Sequence, residues 1–564
     1  MIQLGLAAFF HDAAACIVSD GKVLSAVEEE RFTEIKHDYS FPVNSIKWVM
    51  EVNNLTFEDI DEVCWYEKPE VKKHRVLKTF NKRWWKTWKI KRRFKKEFAE
   101  NDPKKLLSEL GYNGPIKYID HHLSHAAFGY YTSKFDEAAI LTVDGVGEWE
   151  TVTISTTHNG KIFKRFSIDF PHSLGMLYST ITSYLGFKPN EGEYKVMGLA
   201  PYGNAEKYAP QLRKIFKRTT NKFFILQKYF TWEYSDKVMF NKNLFKLLGI
   251  LPRFPEEEVT QDHKDLAAAL QVVYEEEFLR LVRVASKLTQ SKNLVLSGGC
   301  AYNGVANSKA YRYFRKIHVP FAPSDAGSAI GACLQSYVAA TGDTRRRIVN
   351  RNPFLGPKYS DDDVLGVLNN TKGIKYVKVS PANLYKSTAQ FIHSGKIVAW
   401  FQGEMEFGAR ALGNRSILAT PRDPEMRTKL NYVIKKREGF RPFAPSTLRG
   451  EDKKYFEVKE DIPFMNQVVK IKGHKKKQPP VYFPSATHVD NTARVHTVTR
   501  GQNPKYYKLI EELKRISGFG IVLNTSFNLK DQTITMTPKQ AVDRFINSDI
   551  DQLIINNFII SKNG

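Results

Sequence analysis

The chain has 564 residues, 42% of them hydrophobic and 13% aromatic, which is too long for one ordinary core and calls for at least two domains. A mean hydropathy of -0.40 with 26% charged residues reads as a soluble globular protein and excludes wholesale disorder. Lys+Arg number 85 against 60 Asp+Glu, a formal charge of +25, which directs attention to nucleic acid, anionic lipid or phosphorylated substrates. No stretch approaches the roughly 18 uncharged apolar residues of a membrane span. Met1 to Val18 is interrupted by His11 and Asp12 and has no basic lead, so a secretory signal is not expected. Cys16, Cys64, Cys300 and Cys333 are far apart with no CxxC, which argues against a zinc knuckle or disulfide framework; a cytoplasmic chain with reduced thiols is expected.

In chain order, the opening reads strand, turn, strand: positions 2–9 are apolar, Asp20-Gly21 is a tight-turn dipeptide, and positions 22–27 return. Between Lys72 and Lys96 lie thirteen basic residues and no acid. Phe80, Trp84 and Trp88 recur there every fourth residue, predicting one helix with a greasy stripe. Such a helix faces RNA or a membrane, or is a solvated cover; the solvated reading is preferred, because clustered charge more often solvates than binds. Positions 116–119 read as a strand leading into DHHLSHAA, a helix start, and 138–143 as a short strand ending in Asp144-Gly145. Positions 152–156 and 161–168 flank His158-Asn159-Gly160 as a hairpin. A long helix is expected over 261–289, a buried strand over 294–296 ending in Ser297-Gly298-Gly299, and a strand over 318–321 running into Asp325 and a helix to about Ala340. Thr341 to Lys358 is rich in Gly, Pro, Arg and Asn without periodicity, so the domains are placed at 1–345 and 361–564 with a linker at 346–360. Positions 398–401 and 521–523 look like core strands of a second α/β unit, and no short-period repeat is visible.

Three constellations carry chemistry. His121 and His125, four apart, project from one helix face and can share a metal; Asp144 at a strand end and Asp325 at a strand-to-helix turn add carboxylates. Two imidazoles with carboxylate oxygens suit iron, manganese or zinc rather than magnesium alone, the alternative being ordinary polar helix residues. The Gly298-Gly299 pair allows close approach of a phosphate or adenosine, although glycine pairs mostly mark turns. In the third, Arg410, Arg415, Lys435, Arg437 and Arg441 are interleaved with glycine, small and apolar residues, unlike a solvated basic face; guanidinium forks grip phosphates at two points. Asn524-Thr525-Ser526-Phe527-Asn528 offers hydroxyl and amide groups to the same ligand. The small residues after His11-Asp12 would let a hairpin press its backbone against phosphates, as in actin-like ATPase domains. No Walker A sequence, Rossmann fingerprint or Ser/His/Asp order stands out.

Together these segments resemble the O-carbamoyltransferase family that includes the nodulation, cephalosporin and aminoglycoside carbamoyltransferases. The resemblance runs along nearly the whole chain: FFHDAAA (Phe9–Ala15), EEERFT (Glu28–Thr33), YEKP (Tyr66–Pro69), HHLSHAA (His121–Ala127), DGVGEW (Asp144–Trp149), GEYKVMGLAPYG (Gly192–Gly203), SGGCAYN (Ser297–Asn303), SDAG (Ser324–Gly327), EFGARALGNRSILA (Glu406–Ala419), REGFRPFAPS (Arg437–Ser446) and LNTSFN (Leu523–Asn528). It implies an α/β fold: an N-terminal actin-like (ASKHA) domain, akin to the tRNA threonylcarbamoyl-transfer subunit, and a C-terminal YrdC-like domain. It also implies that carbamoyl phosphate and ATP, with Mg2+, become carbamoyl-adenylate and pyrophosphate in the C-terminal domain. The N-terminal domain then passes the carbamoyl group to a hydroxyl of a small molecule, a sugar or secondary metabolite, leaving AMP. His121, His125, Asp144 and Asp325 match the family's positions for Fe2+ or another divalent transition metal. Arg410, Arg415, Lys435, Arg441, Thr525, Ser526 and Asn528 match the carbamoyl phosphate and nucleotide site. Lys195, Gly298, Gly299 and Asn303 match the nucleotide side of the N-terminal site. The acceptor hydroxyl needs a proton acceptor, for which His11 or Asp12 is the candidate.

The resemblance is compatible with a homodimer and implies no nucleic-acid partner and no stable membrane insertion. Two departures stand out: Asp531-Gln532-Thr533 replaces the family's Gly-Glu-Pro, and the segment after YEKP is unusually basic and tryptophan-rich. The rival is a tRNA-modifying threonylcarbamoyl-type transferase whose basic helix holds RNA. The C-terminal arginine motifs favour fused small-molecule machinery instead.

Overall fold

A computed structural model of the chain describes residues 1–80, 84–235, 237–344, 349–472 and 483–563. Its contacts divide into two units, one of Met1–Glu29 with His37–Arg351, the other of Glu30–Lys36 with the chain from Asn352 onward.

In the first unit, β1 (Ile2–Ala7), β2 (Ala14–Ser19) and β3 (Lys22–Glu28) form an antiparallel meander. Asp20 (φ 47°) and Gly21 (φ 72°) both adopt left-handed backbone, the requirement of a two-residue turn that follows the strand twist. The expected strand–turn–strand opening is therefore short by one strand, since Ala14–Ser19 forms β2 between the two expected. Parallel strands β4 (Glu62–Trp65) and β5 (Ile116–Tyr118) complete the sheet in the order β3-β2-β1-β4-β5. The second sheet uses β6 (Ala139–Val143), β7 (Glu150–His158) and β8 (Lys161–Asp169), then, after the short hairpin of β9 (Phe216–Arg218) and β10 (Phe223–Ile225), β11 (Asn293–Ser297) and β12 (Lys316–His318). Its order is β12-β11-β6-β7-β8. Read from its first strand, each sheet is an antiparallel meander of three with two parallel strands added on the other side of the first, so the unit is a topological duplication. The strand expected over 318–321 lies earlier, at Lys316–His318; Pro320 has no N–H for the ladder.

The helices His121–Tyr131 and Asp325–Thr341 pack closely in this unit. A Cβ on Gly331 would stand 1.9 Å from the Ser124 carbonyl oxygen, so only glycine permits that approach. The basic stretch is two helices, Pro69–Thr79 and Trp84–Glu100, not one. Phe80 follows the first helix, is buried and stacks on Phe94 at 5.5 Å, whereas Trp88 is 51% exposed. The four-residue stripe thus does not carry across the break. Positions 81–83 and the side chains of Trp84, Trp85 and Lys86 lie outside the described residues. Among the described residues no helix is long and apolar enough to cross a membrane.

The second unit is built on β13 (Ile374–Lys378), β14 (Val398–Phe401), β15 (Arg415–Ala419), β16 (Ala444–Leu448), β19 (His496–Val498), β20 (Ile521–Ser526), β21 (Gln552–Ile555) and β22 (Phe558–Lys562), with a side ribbon of β17 (Val468–Lys470) and β18 (Thr492–Arg494). The sheet order is β13-β22-β21-β14-β15-β20-β16-β19. Val398 and Trp400 enter one apolar cluster, Ala399 and Phe401 another, so the central strands are buried on both faces and read as unbroken apolar runs. Glu30–Lys36 belongs here: Arg31 donates to the Gly408 carbonyl at 3.1 Å, Arg544 to Glu34 at 2.6 Å, and Phe32 packs on Met405, Ile534 and Met536. An excursion of seven residues some three hundred positions before the main segment carries no mark in composition.

Gly331→Ala is expected to destabilise the first unit by about 1–3 kcal/mol, the usual cost of overpacking. Gly366→Ala, with nothing within 4 Å of its Cβ in the helix Asp361–Asn369, should be neutral or stabilise by about 0.5–1 kcal/mol. Scanning calorimetry of both variants checks the contrast.

Candidate active site

The helix that carries the histidines starts without help from Asp120, whose side chain makes no cap. The Glu148 carboxylate does that work, accepting the His121 N–H at 3.0 Å and the Lys68 N–H at 2.8 Å; a carboxylate at a helix N-terminus also meets the positive end of the dipole. His121 and His125 then stand one turn apart. Asp144 follows β6, and Asp325 is the first residue of its helix. All four side chains are buried, and one ligand atom from each lies within 4.8 Å of every other. His121 Nε2 is 3.1 Å from Asp144 Oδ2, 3.1 Å from His125 Nε2 and 3.7 Å from Asp325 Oδ1; His125 Nε2 is 3.3 Å from Asp325 Oδ1 and 3.9 Å from Asp144 Oδ2. Ligands about 2.1 Å from a tetrahedral ion stand about 3.4 Å apart, so these separations bracket a coordination sphere.

Fully buried Asp325 meets no hydroxyl or backbone N–H among the described residues, and its near polar neighbours are the imidazoles of His125 and His121. A dry carboxylate in that state needs a cation. The donor set therefore fits a divalent metal ion. Burial alone would lower the His121 pKa, but Asp325, Asp144 and Glu148 outweigh it and raise it to about 9. Burial pushes Asp144 the other way, yet the hydrogen bond from His121 and the charge of His125 hold it well below the usual carboxylate range.

Several supporting residues are invisible at the level of motif. Ser328, one turn after Asp325, meets His125 Nδ1 at 2.8 Å and so turns Nε2 toward the quartet. The Ser297 hydroxyl donates to the His125 carbonyl at 2.7 Å, and the Gly299 N–H donates to Asp144 Oδ1 at 2.9 Å. Gly298 takes φ 85°, and a Cβ there would lie 2.3 Å from the Val143 carbonyl oxygen. The glycine pair thus positions a quartet ligand. His122 points away, toward Thr153 Oγ1 at 3.2 Å, and burial holds it neutral.

His11 and Asp12 form a contact of 3.1 Å, and the other Asp12 oxygen meets His37 Nδ1 at 2.6 Å. Burial would lower the His11 pKa, but Asp325, Asp12 and Asp144 outweigh it and raise it to about 10, while Asp12 is held well below its ordinary value by His11 and His37 against its own burial. The two candidate proton acceptors are thus joined in one hydrogen-bonded chain with His37. Lys195, on the helix Glu193–Leu199, places its ammonium 5.6 Å from the Phe187 ring centre. Asn303 caps the helix Gly304–Lys309 through Ala306 and exchanges two 3.1 Å hydrogen bonds with Gln271.

In the second unit the basic motif separates into two kinds of residue. Arg415 is fully buried, donates to the carbonyls of Gln402, Asn414, Pro357 and Gly403, and lies 3.6 Å from the Phe401 ring centre. It braces the loop before β15, a correction to its expected place among the ligand-gripping side chains. Lys435 likewise donates to Ser526 O at 2.5 Å, Asn528 O at 2.8 Å and Asn528 Oδ1 at 2.9 Å, engaging all three of its protons. Ser526 Oγ donates to the same Asn528 oxygen at 2.6 Å, so Lys435 shapes the turn after Thr525 rather than projecting from it. Arg410, Arg437 and Arg441 are different: burial, and then their charges, pull the Arg494 guanidinium well below its usual pKa. Four guanidiniums are near enough to act on one another there, with Arg441 also 3.5 Å from Glu438 and Arg437 donating to Asn431 Oδ1 at 2.8 Å; such a concentration of positive charge suits an anionic ligand. Arg494 sits at the end of β18 in a plain stretch, DNTARVHTV, and no spacing singles it out.

Residues 2–334 match the family model described as Carbamoyltransferase N-terminus, and residues 389–562 the one described as Carbamoyltransferase C-terminus. An uncharacterised protein of Synechocystis sp. is 37% identical over 99% of this chain and 96% of its own length. Nodulation protein NolNO of Sinorhizobium fredii is 33% identical over 98% of this chain and 79% of that protein. The 3'-hydroxymethylcephem-O-carbamoyltransferase of Streptomyces clavuligerus is 30% identical over 59% of this chain and 58% of that enzyme.

Removing a quartet ligand should empty the site, and removing its orienting hydroxyl should weaken it. His125→Ala is expected to lose bound metal outright, and Ser328→Ala to lower metal affinity by about 10–100-fold. Elemental analysis and competition with a chromogenic chelator measure both; full metal content in His125→Ala would remove the assignment.

Proposed function

The chain belongs to the carbamoyltransferase family and is an O-carbamoyltransferase that uses ATP and carbamoyl phosphate, and from that premise we propose that it works in two steps at the two sites described. In the first, carbamoyl phosphate loses its phosphate to water, the resulting carbamate oxygen attacks the α-phosphorus of ATP, and pyrophosphate leaves. The product is carbamoyl-adenylate. Arg410, Arg437, Arg441 and Arg494 bind the phosphates and offset charge that grows on the departing pyrophosphate, with Mg2+ accompanying ATP. Lys435 and Arg415 act one shell out, holding the loops that form this site.

In the second step the acceptor hydroxyl attacks the carbamoyl carbon and AMP departs. Either His11 or Asp12, which meet at 3.1 Å while Asp12 also bonds His37, takes the hydroxyl proton. When bound, the metal supplies a Lewis acid for the carbamoyl carbonyl and the leaving phosphate. The residues that would hold it are His121, His125, Asp144 and Asp325, and two imidazoles with two carboxylates suit Fe2+. The duplicated sheet order of the first unit supports the actin-like assignment, and the two-sided mixed sheet of the second is compatible with the YrdC-like one. The observation that carries the whole reading is the buried quartet, whose donor atoms lie 3.1–3.9 Å apart in the five measured pairs.

Arg494→Met tests the division of labour. It is expected to cut pyrophosphate release from ATP and carbamoyl phosphate by about 10²–10³-fold, the usual cost of one preorganised cationic contact. Synthetic carbamoyl-adenylate supplied to the same variant should restore carbamoylation of the acceptor. Normal pyrophosphate release would remove the arginine cluster from the first step.

A further inference from the structure

The helix Pro69–Thr79 is tied to the candidate metal centre at its first turn. Lys68 shares the Glu148 carboxylate with the N–H of His121, and its ammonium pairs with Asp120 at 3.0 Å. Three cations follow at intervals of three, and each lies over an aromatic ring: Lys72 over Phe10 at 5.8 Å, Arg75 over Phe170 at 5.4 Å, and Lys78 over Trp149 at 5.5 Å. Phe10 adjoins His11, and Trp149 adjoins Glu148. One side of this helix therefore runs along the same residues that flank the transfer site.

The three cations are not equivalent. Lys72 is paired with Glu67 at 2.8 Å, and Lys78 is exposed to solvent. Arg75 is only 8% exposed, its Nε is buried without a partner, and no hydrogen bond or ion pair reaches its guanidinium among the described residues. Glu67 and Glu148 are near enough to act on it through space, yet burial prevails and lowers its pKa to about 10. A guanidinium kept dry without an acceptor is costly in the folded protein. Its planar fork matches the two oxygens of an oxyanion, and the aromatic wall removes competing water.

Resting on the carbamoyl-transfer reading, we propose that Arg75 receives an anionic group of the acceptor, a carboxylate, sulfate or phosphate ester, so that the alcohol carbamoylated by this enzyme is an acidic one. Arg75 is then a specificity-determining residue: it binds the acceptor away from the reacting hydroxyl and takes no part in the chemistry. This gives a role to one cation of the unusually basic segment after YEKP, the buried Arg75.

The test uses the full chain with the ATP-binding site saturated by a non-hydrolysable ATP analogue. Thermal stabilisation is measured with glucose, glucuronate and glucose 6-phosphate at matched ionic strength, in wild type, Arg75→Met and Arg75→Lys. Wild type should be stabilised by at least one anionic sugar and not by glucose; Arg75→Met should lose that shift and Arg75→Lys keep part of it. The comparison of glucuronate with glucose 6-phosphate separates carboxylate from phosphate recognition. Ligand-free Arg75→Met should melt no lower than wild type, because it removes an unsatisfied buried charge. With carbamoyl phosphate and ATP, kcat/KM for the anionic sugar should exceed that for glucose by at least 10-fold in wild type and approach parity in Arg75→Met. A ligand-free Tm several degrees lower in Arg75→Met makes Arg75 a structural cation and overturns the proposal. So does a wild type indifferent to sugar charge in both the binding and the kinetic arms. Wild-type protein that releases no pyrophosphate from ATP and carbamoyl phosphate contradicts the carbamoyl-transfer reading itself, a separate outcome.

Discussion

Two carboxylates and two imidazoles share a dry space a few ångströms across, and much of the first unit is arranged to hold them there. Asp144 and Asp325 repel each other, and against its burial their charges raise the pKa of the His121 imidazole beside them. A bound divalent cation offsets that repulsion with one ion of fixed geometry and frees the imidazole nitrogens as ligands. The close approach of the two ligand-bearing helices at Gly331, the Glu148 carboxylate beneath His121 and the Ser328 contact on His125 all serve that one requirement.

The duplication of sheet order explains where the quartet falls. Asp144 follows the first strand of the second sheet, and its oxygen is held by the N–H of Gly299, just past the parallel strand β11 beside it. The ends of parallel strands are where open α/β sheets gather functional side chains, since neighbouring chain directions deliver several loops to one edge. His121 and His125 come from the helix after β5, the last strand of the first sheet, and Asp325 from the helix after β12, its counterpart in the second. The two halves of the duplication thus contribute through equivalent connections.

Charge is used in three distinct ways. Arg415 and Lys435 are buried cations that donate to several backbone carbonyls, although Arg415 Nε lacks a partner among the described residues, and they brace loops. Arg494 lies within reach of the charges of Arg410, Arg437 and Arg441, and burial and then those charges depress its pKa. The surface cations of Trp84–Glu100 face water beside an exposed Trp88. Composition counts all of them alike, and only their partners separate bracing from binding.

The metal quartet was legible in the sequence because a four-residue interval on a helix and aspartates at strand ends are local patterns with a direct geometric meaning. Apolar runs such as positions 398–401 also announced themselves, being buried on both faces. Less was legible where the outcome depended on distant partners. Arg415 and Arg441 look alike in sequence, yet one meets four carbonyls and the other helps crowd Arg494. Ser328, His37 and Arg494 sit in ordinary local contexts, and the passage of Glu30–Lys36 into the second unit has no compositional mark. Periodicity and residue chemistry act along the chain, so the sequence alone determines elements and candidate ligands. Whether a buried charge braces a loop, faces a ligand or stands unpaired is decided by groups brought near it from hundreds of residues away, and only the tertiary structure assembles those.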